Sequence, residues 1–433
     1  MDFVRSEVHR GECLPSAATA LSNGPSTTTW ILDLRKPPRI ALLWSQFAAY
    51  HLDRCDAVAR RLGTRAEVLA VEVASASRTY AWDPSGDTRH ARKLTLFPGA
   101  SYETIAWPRR LWRQWRALSK CRTVCIGIGY DQPDVIALIW LLWLGGTRVV
   151  LMSESKFDDY GRSLGREALK AAMLAPCQAA VVGGRRHIGF MRFLGFRRRP
   201  VLPGYDGVSL ERVRTEAATP AAPGGAPFAT RPFVFVGRFI DKKNLIALVE
   251  AYAGYCRLAH GSPRRLVLVG AGPAETALRR RIDELGIADR IDFPGFLSAE
   301  EVSRVLAGAL ALILVSTVEQ WGLVVNEALA LNLPAIVSNA VGSRDALVRN
   351  LVNGFVVEPD DRAGLAQAMA ALAGNEGNWK QMVAASRERA WLGDAERLAD
   401  AVELLVDSGA MEAAARINQF MQEIGTDPVR GQA

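Results

Sequence analysis

Three stretches of the chain place charge beside glycine where an apolar run ends. In STVEQWGLVVNEALALNLPAIVS the run stops at Ser316, Glu319 follows in a short loop, and Gly322 opens a helix that carries Glu327. A glycine at a helix mouth lets an anion approach free backbone N–H groups, and the helix dipole favours its charge. In FVFVGRFIDKKN, Gly237 follows a strand-like run, with Arg238 and Lys243 just beyond it. Two cations at a strand end suit a diphosphate, since arginine offers a planar fork and lysine a point charge. In RLVLVGAGP, Gly270 and Gly272 mark a strand end where a nucleotide can rest on backbone. The full GxGxxG spacing and its acidic partner are missing, which argues against NAD, and CIGIGY (Cys125–Tyr130) fails the same test.

Other candidates carry weaker signals. His51 and Arg54 stand one helical turn apart after the first strand, so they either face a cleft mouth or cap and pack the helix. Asp158 and Asp159 have the form of an acidic metal pair, but an exposed helix N-cap is the simpler account of them. Asp131 and Asp134 flank Pro133 at a helix start and read as caps. Tyr205 and Asp206 lie near a Pro/Gly-rich segment and read as hinge residues. The six cysteines form no CxxC pair, which removes zinc-ribbon and thioredoxin readings. No metal site is expected.

The elements that must position these groups are legible in the hydrophobic pattern. At 433 residues, two or three domains are expected. Hydrophobic residues are 49% and charged residues 23%, which excludes a disordered or collagen-like chain. Residues 1–36, rich in Ser, Thr, Ala and Gly, read as a flexible extension. From Arg39 onward, runs such as RIALLW, CRTVCIGI, TRVVLM and QAAVVGG alternate with helical stretches at 50–62, 132–144 and 160–175. The segment 213–232 reads as a Pro/Ala/Gly linker. Beyond it PFVFVG, RLVLVG, ALILVS, PAIVSN and GFVVEP alternate with helices at 242–259, 273–286, 322–331 and 362–373. Apolar β-branched runs separated by helices mean parallel strands covered on both faces. The expected fold is α/β, with two doubly wound Rossmann-like domains, 37–212 and 233–393, facing across a cleft. Helices over 394–424 follow, then a tail over 425–433.

GRFIDKKN, LVLVGAGP, the Glu319/Glu327 element and VGSRDALVRNLVNGFVVEP, in that order over about 230–375, resemble the retaining GT-B glycosyltransferases of the large family four. YHLDRCDAVARRLG, MSES and PGYDGV are similar to a subgroup of exopolysaccharide and capsule transferases. The resemblance implies that Arg238 and Lys243 hold a donor diphosphate and that Glu319 contacts the donor sugar. It gives Glu327 the nucleotide ribose, sets Gly322 and Leu323 against phosphate or sugar, and lays Phe296 by the base. It also implies that residues 394–424 cross back to the N-terminal domain. The chain departs from the pattern in two places. The loop WSQFAAYH (Ser45–Tyr50 at its centre) lacks the family's glycine pair, and Ser153, Glu154 and Ser155 stand where many members carry a histidine. His51, Arg54 and Glu154 are therefore the acceptor-side candidates.

The resulting expectation is a metal-independent transferase without cofactor. It moves a sugar from a nucleotide diphosphate, UDP favoured, to a hydroxyl of a saccharide or lipid-linked acceptor in polysaccharide biosynthesis, with retention. A sugar-nucleotide epimerase of the same fold and a non-catalytic sugar-nucleotide-binding subunit are the alternatives. Nucleic acid is not expected as a partner, because no aromatic-interleaved or zinc-finger signature accompanies the basic charge.

That charge is uneven. Residues 1–230 hold 32 Lys/Arg and 20 Asp/Glu, a surplus of +12, while 231–433 hold 21 and 25, giving −4. The first residues lack the apolar core of a secretion signal, and the greasy run from Val135 to Met152 is broken by Gly145–Gly146. A cytoplasmic protein is expected, peripheral on the membrane's inner face. WPRRLWRQWRALSK (107–120) carries that second expectation. Laid out at about 100° per residue, Trp107, Leu118, Leu111, Trp115 and Trp112 share one arc. Arg116, Arg109, Lys120, Arg113 and Arg110 share the other. The alternative packs those tryptophans on the domain's own sheet.

Overall fold

The structure is a computed structural model and describes residues 37–78, 86–259 and 261–426. The expected extension over 1–36 and residues 427–433 of the expected tail lie outside the described residues.

The first half is built from β1 (Arg39–Trp44), α1 (Ala49–Leu62), β2 (Glu67–Ala76), β3 (Arg92–Ser101), α2 (Trp107–Leu118), β4 (Thr123–Ile126) and α3 (Pro133–Leu144). It continues with β5 (Arg148–Ser153), α4 (Leu164–Met173), β6 (Ala179–Val182), α5 (Arg185–Phe193) and β7 (Val201–Pro203). Its seven strands form one parallel sheet in the order β3-β2-β1-β4-β5-β6-β7. β1, β4, β5 and β6 are Val-, Ile-, Leu- and Ala-rich and almost wholly buried, as strands covered on both faces must be.

A connecting helix, α6 (Leu210–Ala217), leads into β8 (Phe233–Val236), α7 (Leu245–Leu258), β9 (Leu266–Val269), α8 (Glu275–Glu284), β10 (Ile291–Gly295), α9 (Ala299–Ala307) and β11 (Ala311–Leu314). Then come α10 (Val324–Ala330), β12 (Ala335–Ser338), α11 (Arg344–Leu347), β13 (Gly354–Val357), α12 (Arg362–Gly374) and α13 (Glu376–Arg389). The second sheet is parallel too, in the order β10-β9-β8-β11-β12-β13. In both sheets the order reverses direction beside the first strand, which opens a crevice at the carboxyl ends of the strands.

The pattern reading omitted β2, β3, β7 and β10. β3 and β10 are edge strands and carry Pro98 and Pro294, residues that break an apolar run but are tolerated where one side needs no ladder bond. The segment expected as a linker starts inside α6, which spans Leu210–Ala217. Arg214 Nε donates to the Ala330 carbonyl at 2.8 Å, and buried Arg231 donates to the carbonyls of Ala307 and Ala309 at 3.0 and 2.8 Å.

The last two helices, α14 (Glu396–Val406) and α15 (Met411–Glu423), return to the first half. α14 lies on α1, where Arg60, Arg61 and Arg65 pair with Glu396, Asp400, Glu403 and Asp407. Residues 206–208 and 393–395 form the paired crossing point: Val208 N donates to Gly393 O at 3.0 Å and Ala395 N to Val208 O at 2.9 Å.

Helix α2 turns a different face inward from the one expected. Arg110, Gln114 and Leu118 are its buried positions. Arg110 forms a two-armed pair with Asp134 on α3 (Nη2–Oδ1 2.6 Å, Nε–Oδ2 3.1 Å), and Gln114 Nε2 adds a bond to Asp134 Oδ2 at 2.8 Å. Arg110 therefore leaves the expected basic arc. Asp134 is this buried partner and no longer reads as a cap. Trp107, Trp112 and Trp115 are exposed, so they do not pack on the sheet.

Candidate functional site

The strand ends of both sheets line one cleft of about 860 Å³. From the second half it receives Gly237, Arg238, Lys242, Lys243, Gly272, Phe296 and the loop from Glu319 to Val324. From the first half it receives Trp44 to Gln46, Tyr50, His51, Tyr130, the run Met152 to Ser155 and Tyr205.

Local chemistry explains the second-half wall. Gly237 ends β8, and the chain closes a short 3-10 turn at Asp241–Lys243 before Asn244 takes a left-handed conformation (φ 60°). The Asn244 side chain holds that turn by donating to the carbonyls of Val315 and Pro359 at 3.2 and 2.7 Å. Lys243 is thereby aimed at the end of β11, where its Nζ pairs with Glu319 Oε2. Ser316 Oγ donates to the same oxygen at 3.0 Å. Gly322 has φ +94°, and a Cβ there would lie 2.8 Å from Leu314, so the turn into α10 requires glycine. The amides of Val325 and Asn326 turn back onto the Gly322 and Leu323 carbonyls at 3.0 and 2.9 Å, while Leu323 and Val324 face the cleft.

The first-half wall rests on buried charged groups at its base. Arg54 is fully buried, with Nε bonded to Gly207 O at 2.9 Å and its guanidinium over the rings of Tyr50 and Tyr205. It lies beneath the cleft and is not part of its lining. Its Nη2 is 3.7 Å from Asp206 Oδ1. Burial pushes Asp206 well above the usual carboxylate range, and the neighbouring Glu154 adds to the shift. Burial raises Glu154 as well, opposed by Arg54. His51 Nδ1 accepts the Ala48 amide at 2.9 Å, so the ring caps α1 while lining the cleft. Burial and Arg54 lower its pKa well below the ordinary value, which keeps it neutral with the proton on Nε2.

Among the expected site residues, the structure gathers Gly237, Arg238, Lys243, Gly272, Phe296, Glu319, Gly322, Leu323, His51 and Glu154 around one cleft. Gly270, Glu327 and Arg54 are not in its lining. Gly270 lets two strand ends close up, since a Cβ there would stand 2.0 Å from Gly237 O. Glu327 is surrounded by the Arg212, Glu216 and Asp53 charges, and burial lifts its pKa to about 7. Asp158 and Asp159 are held by Arg186 and Lys156 (2.6 and 2.8 Å), an ion-pair role.

Sequence reasoning missed Lys242, Tyr130, Tyr205, Trp44 and Trp321 as cleft residues. Lys242 had a signal, being a third cation in the same turn. Trp321 had none. It is buried, with its ring 5.6 Å from His187, against Gly183 of the first half, and Nε1 donating to Asn326 at 2.9 Å.

The comparison with known families then decides the second half. The family described as "Glycosyl transferases group 1" matches residues 227–389. That stretch is similar to the group 1 glycosyl transferases. It holds β8 through α13, and thus every cation and carboxylate of the second-half wall. Over 140 residues the chain is 30% identical to the alpha-D-kanosaminyltransferase of Streptomyces kanamyceticus, covering 32% of this chain and 36% of that one. Over 191 residues it is 28% identical to the putative colanic acid biosynthesis glycosyltransferase WcaL of Escherichia coli (strain K12), covering 42% and 44%. The chain thus spans less than half the length of these curated relatives. The fold extends further. Anabaena HepE, solved in complex with UDP, superposes with a TM-score of 0.63 at 14% identity, covering 86% of this chain and 100% of that one. Both halves therefore share the GT-B fold, and the stretch similar to the group 1 glycosyl transferases lies in the second.

Proposed function

We propose that the protein is a glycosyltransferase that moves a sugar from a nucleotide diphosphate donor, a UDP-sugar for preference, to a hydroxyl of a saccharide or lipid-linked acceptor in polysaccharide biosynthesis. One observation carries the reading: Arg238, Lys243, Glu319 and the Gly322 turn arrive from different strand ends on one wall of a cleft. The UDP bound by HepE and the group 1 glycosyl transferase domain support the donor class.

The donor diphosphate meets Arg238 and Lys243, with Lys242 beside them. Glu319 exchanges part of its contact with Lys243 for the hydroxyls of the donor sugar. Gly322 and Leu323 bring backbone to the phosphate or sugar, and Phe296 lies at the base. Negative charge grows on the diphosphate as the glycosidic bond lengthens, and fixed cations stabilise that charge more than the ground state. With those cations in place no divalent metal is needed. Retention follows from attack on the face the diphosphate leaves, with a donor phosphate oxygen taking the acceptor proton. Glu154 and His51 stand across the cleft on the acceptor side. The enzyme works on the cytoplasmic side, at the membrane surface.

The test supplies labelled UDP-sugars and a saccharide acceptor and follows glycoside and free UDP. Lys243→Ala and Arg238→Ala are each expected to lower kcat by about 10²–10³, and excess EDTA to leave the rate unchanged. Near-normal turnover in Lys243→Ala and Glu319→Ala sinks the site assignment. A requirement for Mn²⁺ sinks the metal-independent reading, and an isomerised nucleotide sugar with no glycoside sinks transfer itself.

A further inference from the structure

Helix α3 reads PDVIALIWLLWL. Its one charged residue, Asp134, is buried against Arg110, so its outer face has no charge at all. An outer helix of a doubly wound domain normally presents a polar face, and one apolar all round belongs in a dry environment. Yet Trp140, Leu141, Trp143 and Leu144 are exposed, Trp143 at 43% and Leu144 at 70%. Trp140 and Trp143 meet edge to face at 5.7 Å, and Trp140 Nε1 donates to the Met173 carbonyl at the end of α4. Helix α2 packs alongside α3 and presents Trp107, Trp112 and Trp115, with Trp112 exposed at 51%. The two helices thus set out a continuous run of exposed indoles and leucines.

Along α2 and the loop that follows it the charge has one sign. From Thr104 to Tyr130 the sequence has six Lys/Arg and no Asp/Glu. Arg110 is consumed by Asp134, which leaves Arg109, Arg113, Arg116, Lys120 and Arg122 exposed. Among the described residues none of these five pairs with a carboxylate. Arg109 and Arg113 lie over the Phe97 ring and Arg116 over Trp112, stacked with their charge outward.

We infer that the α2–α3 face seats on an anionic lipid bilayer, with the tryptophans and Leu144 in the interfacial layer and the arginines on headgroup phosphates. Charge complementarity selects this occupant. Five cations without acids suit an anionic sheet, and indole beside guanidinium suits the boundary between headgroup and acyl chain. Asp134 supports the assignment by locking Arg110 inward, which turns the tryptophans of α2 outward beside those of α3. The inference rests on the proposed function only for a membrane-borne acceptor, and it requires nothing of the transfer chemistry.

The experiment mixes the full chain with vesicles of phosphatidylcholine alone or with 30% phosphatidylglycerol and reads co-sedimentation and quenching of tryptophan fluorescence by brominated lipid. Binding is expected only with phosphatidylglycerol, falling at 0.5 M salt. Arg109→Glu/Arg113→Glu/Arg116→Glu is expected to lower partitioning by at least about a hundredfold. Trp140→Ala/Trp143→Ala is expected to weaken binding and lose most of the quenching, while α2-only variants such as Trp112→Ala lose part. Absence of binding by the intact chain at low salt overturns the inference. So does a stable dimer in solution that these same variants dissociate, since a second copy then covers the face. UDP-induced thermal shift and turnover on a water-soluble saccharide, measured on the same variants, separate the two readings. Retained shift and turnover without vesicle binding fault the docking face alone, and vesicle binding without donor binding faults the transferase reading alone.

Discussion

On the proposed function, an arriving diphosphate has to compete with Glu319 for Lys243, because the two side chains are already paired at the cleft wall. The pair holds the lysine's rotamer before the donor binds, which lowers the ordering cost of binding. Glu327 poses a separate residue-scale question. It lies among Arg212, Glu216 and Asp53, outside the cleft lining, and burial raises its pKa to about 7. Its folded pKa therefore lies above that of an unfolded glutamate. The stabilisation from the bound proton is complete below about 4.3 and is lost as pH climbs through about 7. Glu327→Gln keeps the neutral form at every pH. Its melting temperature is expected to exceed that of the parent by about 2–4 °C at pH 8 and to match it near pH 5. Equal differences at both pH values would show that the carboxyl is ionised throughout. If the ribose contact implied by resemblance holds, the same variant also weakens UDP binding.

Helices α2 and α3 show how one buried ion pair orients an element. Asp134 accepts from Arg110 and Gln114 with almost no access to water. Removing one partner of such a pair strands the other charge, at about 3–5 kcal/mol, whereas replacing both by apolar groups is often neutral. Asp134→Ala is accordingly expected to lower the denaturation midpoint sharply, and Arg110→Leu/Asp134→Leu to recover most of it. A double variant no better than the single would mean that the pair specifies the packing of α2 on α3. The same paragraph of chain shows a limit of periodicity. The wheel of residues 107–120 separates tryptophan from arginine correctly, but the buried stripe is Arg110, Gln114 and Leu118. Hydrophobicity ranks tryptophan inward, and only the position of Asp134 on a neighbouring helix reverses that ranking.

At the scale of the molecule, the two halves meet beside the site. His187 Nε2 donates to the Gln320 carbonyl at 2.9 Å, and its Nδ1 accepts the Gly184 amide at 3.1 Å. Burial lowers its pKa to about 4, so this contact keeps one tautomer at neutral pH. Arg186 donates to Asp345 at 2.7 Å and to the Asn339 and Val341 carbonyls. Asn326 Nδ2 reaches the Asp206 carbonyl at 2.6 Å. Gln320 directly follows Glu319, so this contact between the halves and the proposed donor contact share one loop. Arg186→Ala is expected to raise hydrolysis of the donor relative to transfer by several fold, because a looser cleft admits water. The measurement is free sugar per glycoside formed, and an unchanged ratio with unchanged kcat would detach Arg186 from closure. UDP at about 100 times its Kd is expected to add about 2.7 kcal/mol to the stability of the parent chain.

The α/β class, the two parallel sheets and the candidate groups Gly237, Arg238, Lys243, Glu319 and Gly322 that line one cleft wall were legible in the chain, because each rests on local signals. Apolar runs mark strands buried on both faces, and glycine marks a turn that a side chain would block. The edge strands β3 and β10 were not legible, since an edge tolerates proline and shows no clean apolar run. Nor were the cleft positions of Tyr205 and Trp321, or the grouping of buried Arg54 and Asp206 beside Glu154. Their meaning comes from contacts across 50 to 150 positions of chain, such as Arg54 beside Gly207, and no local pattern records which partner a residue will meet. The sequence by itself determined most of the central elements and the residue types on one wall of the cleft. Tertiary structure decided how His51 and Glu154 are set on the opposite wall, the buried face of α2 and the ion pairs by which α14 docks on α1. Burial and charge pairing at those places are properties of neighbours brought together by folding.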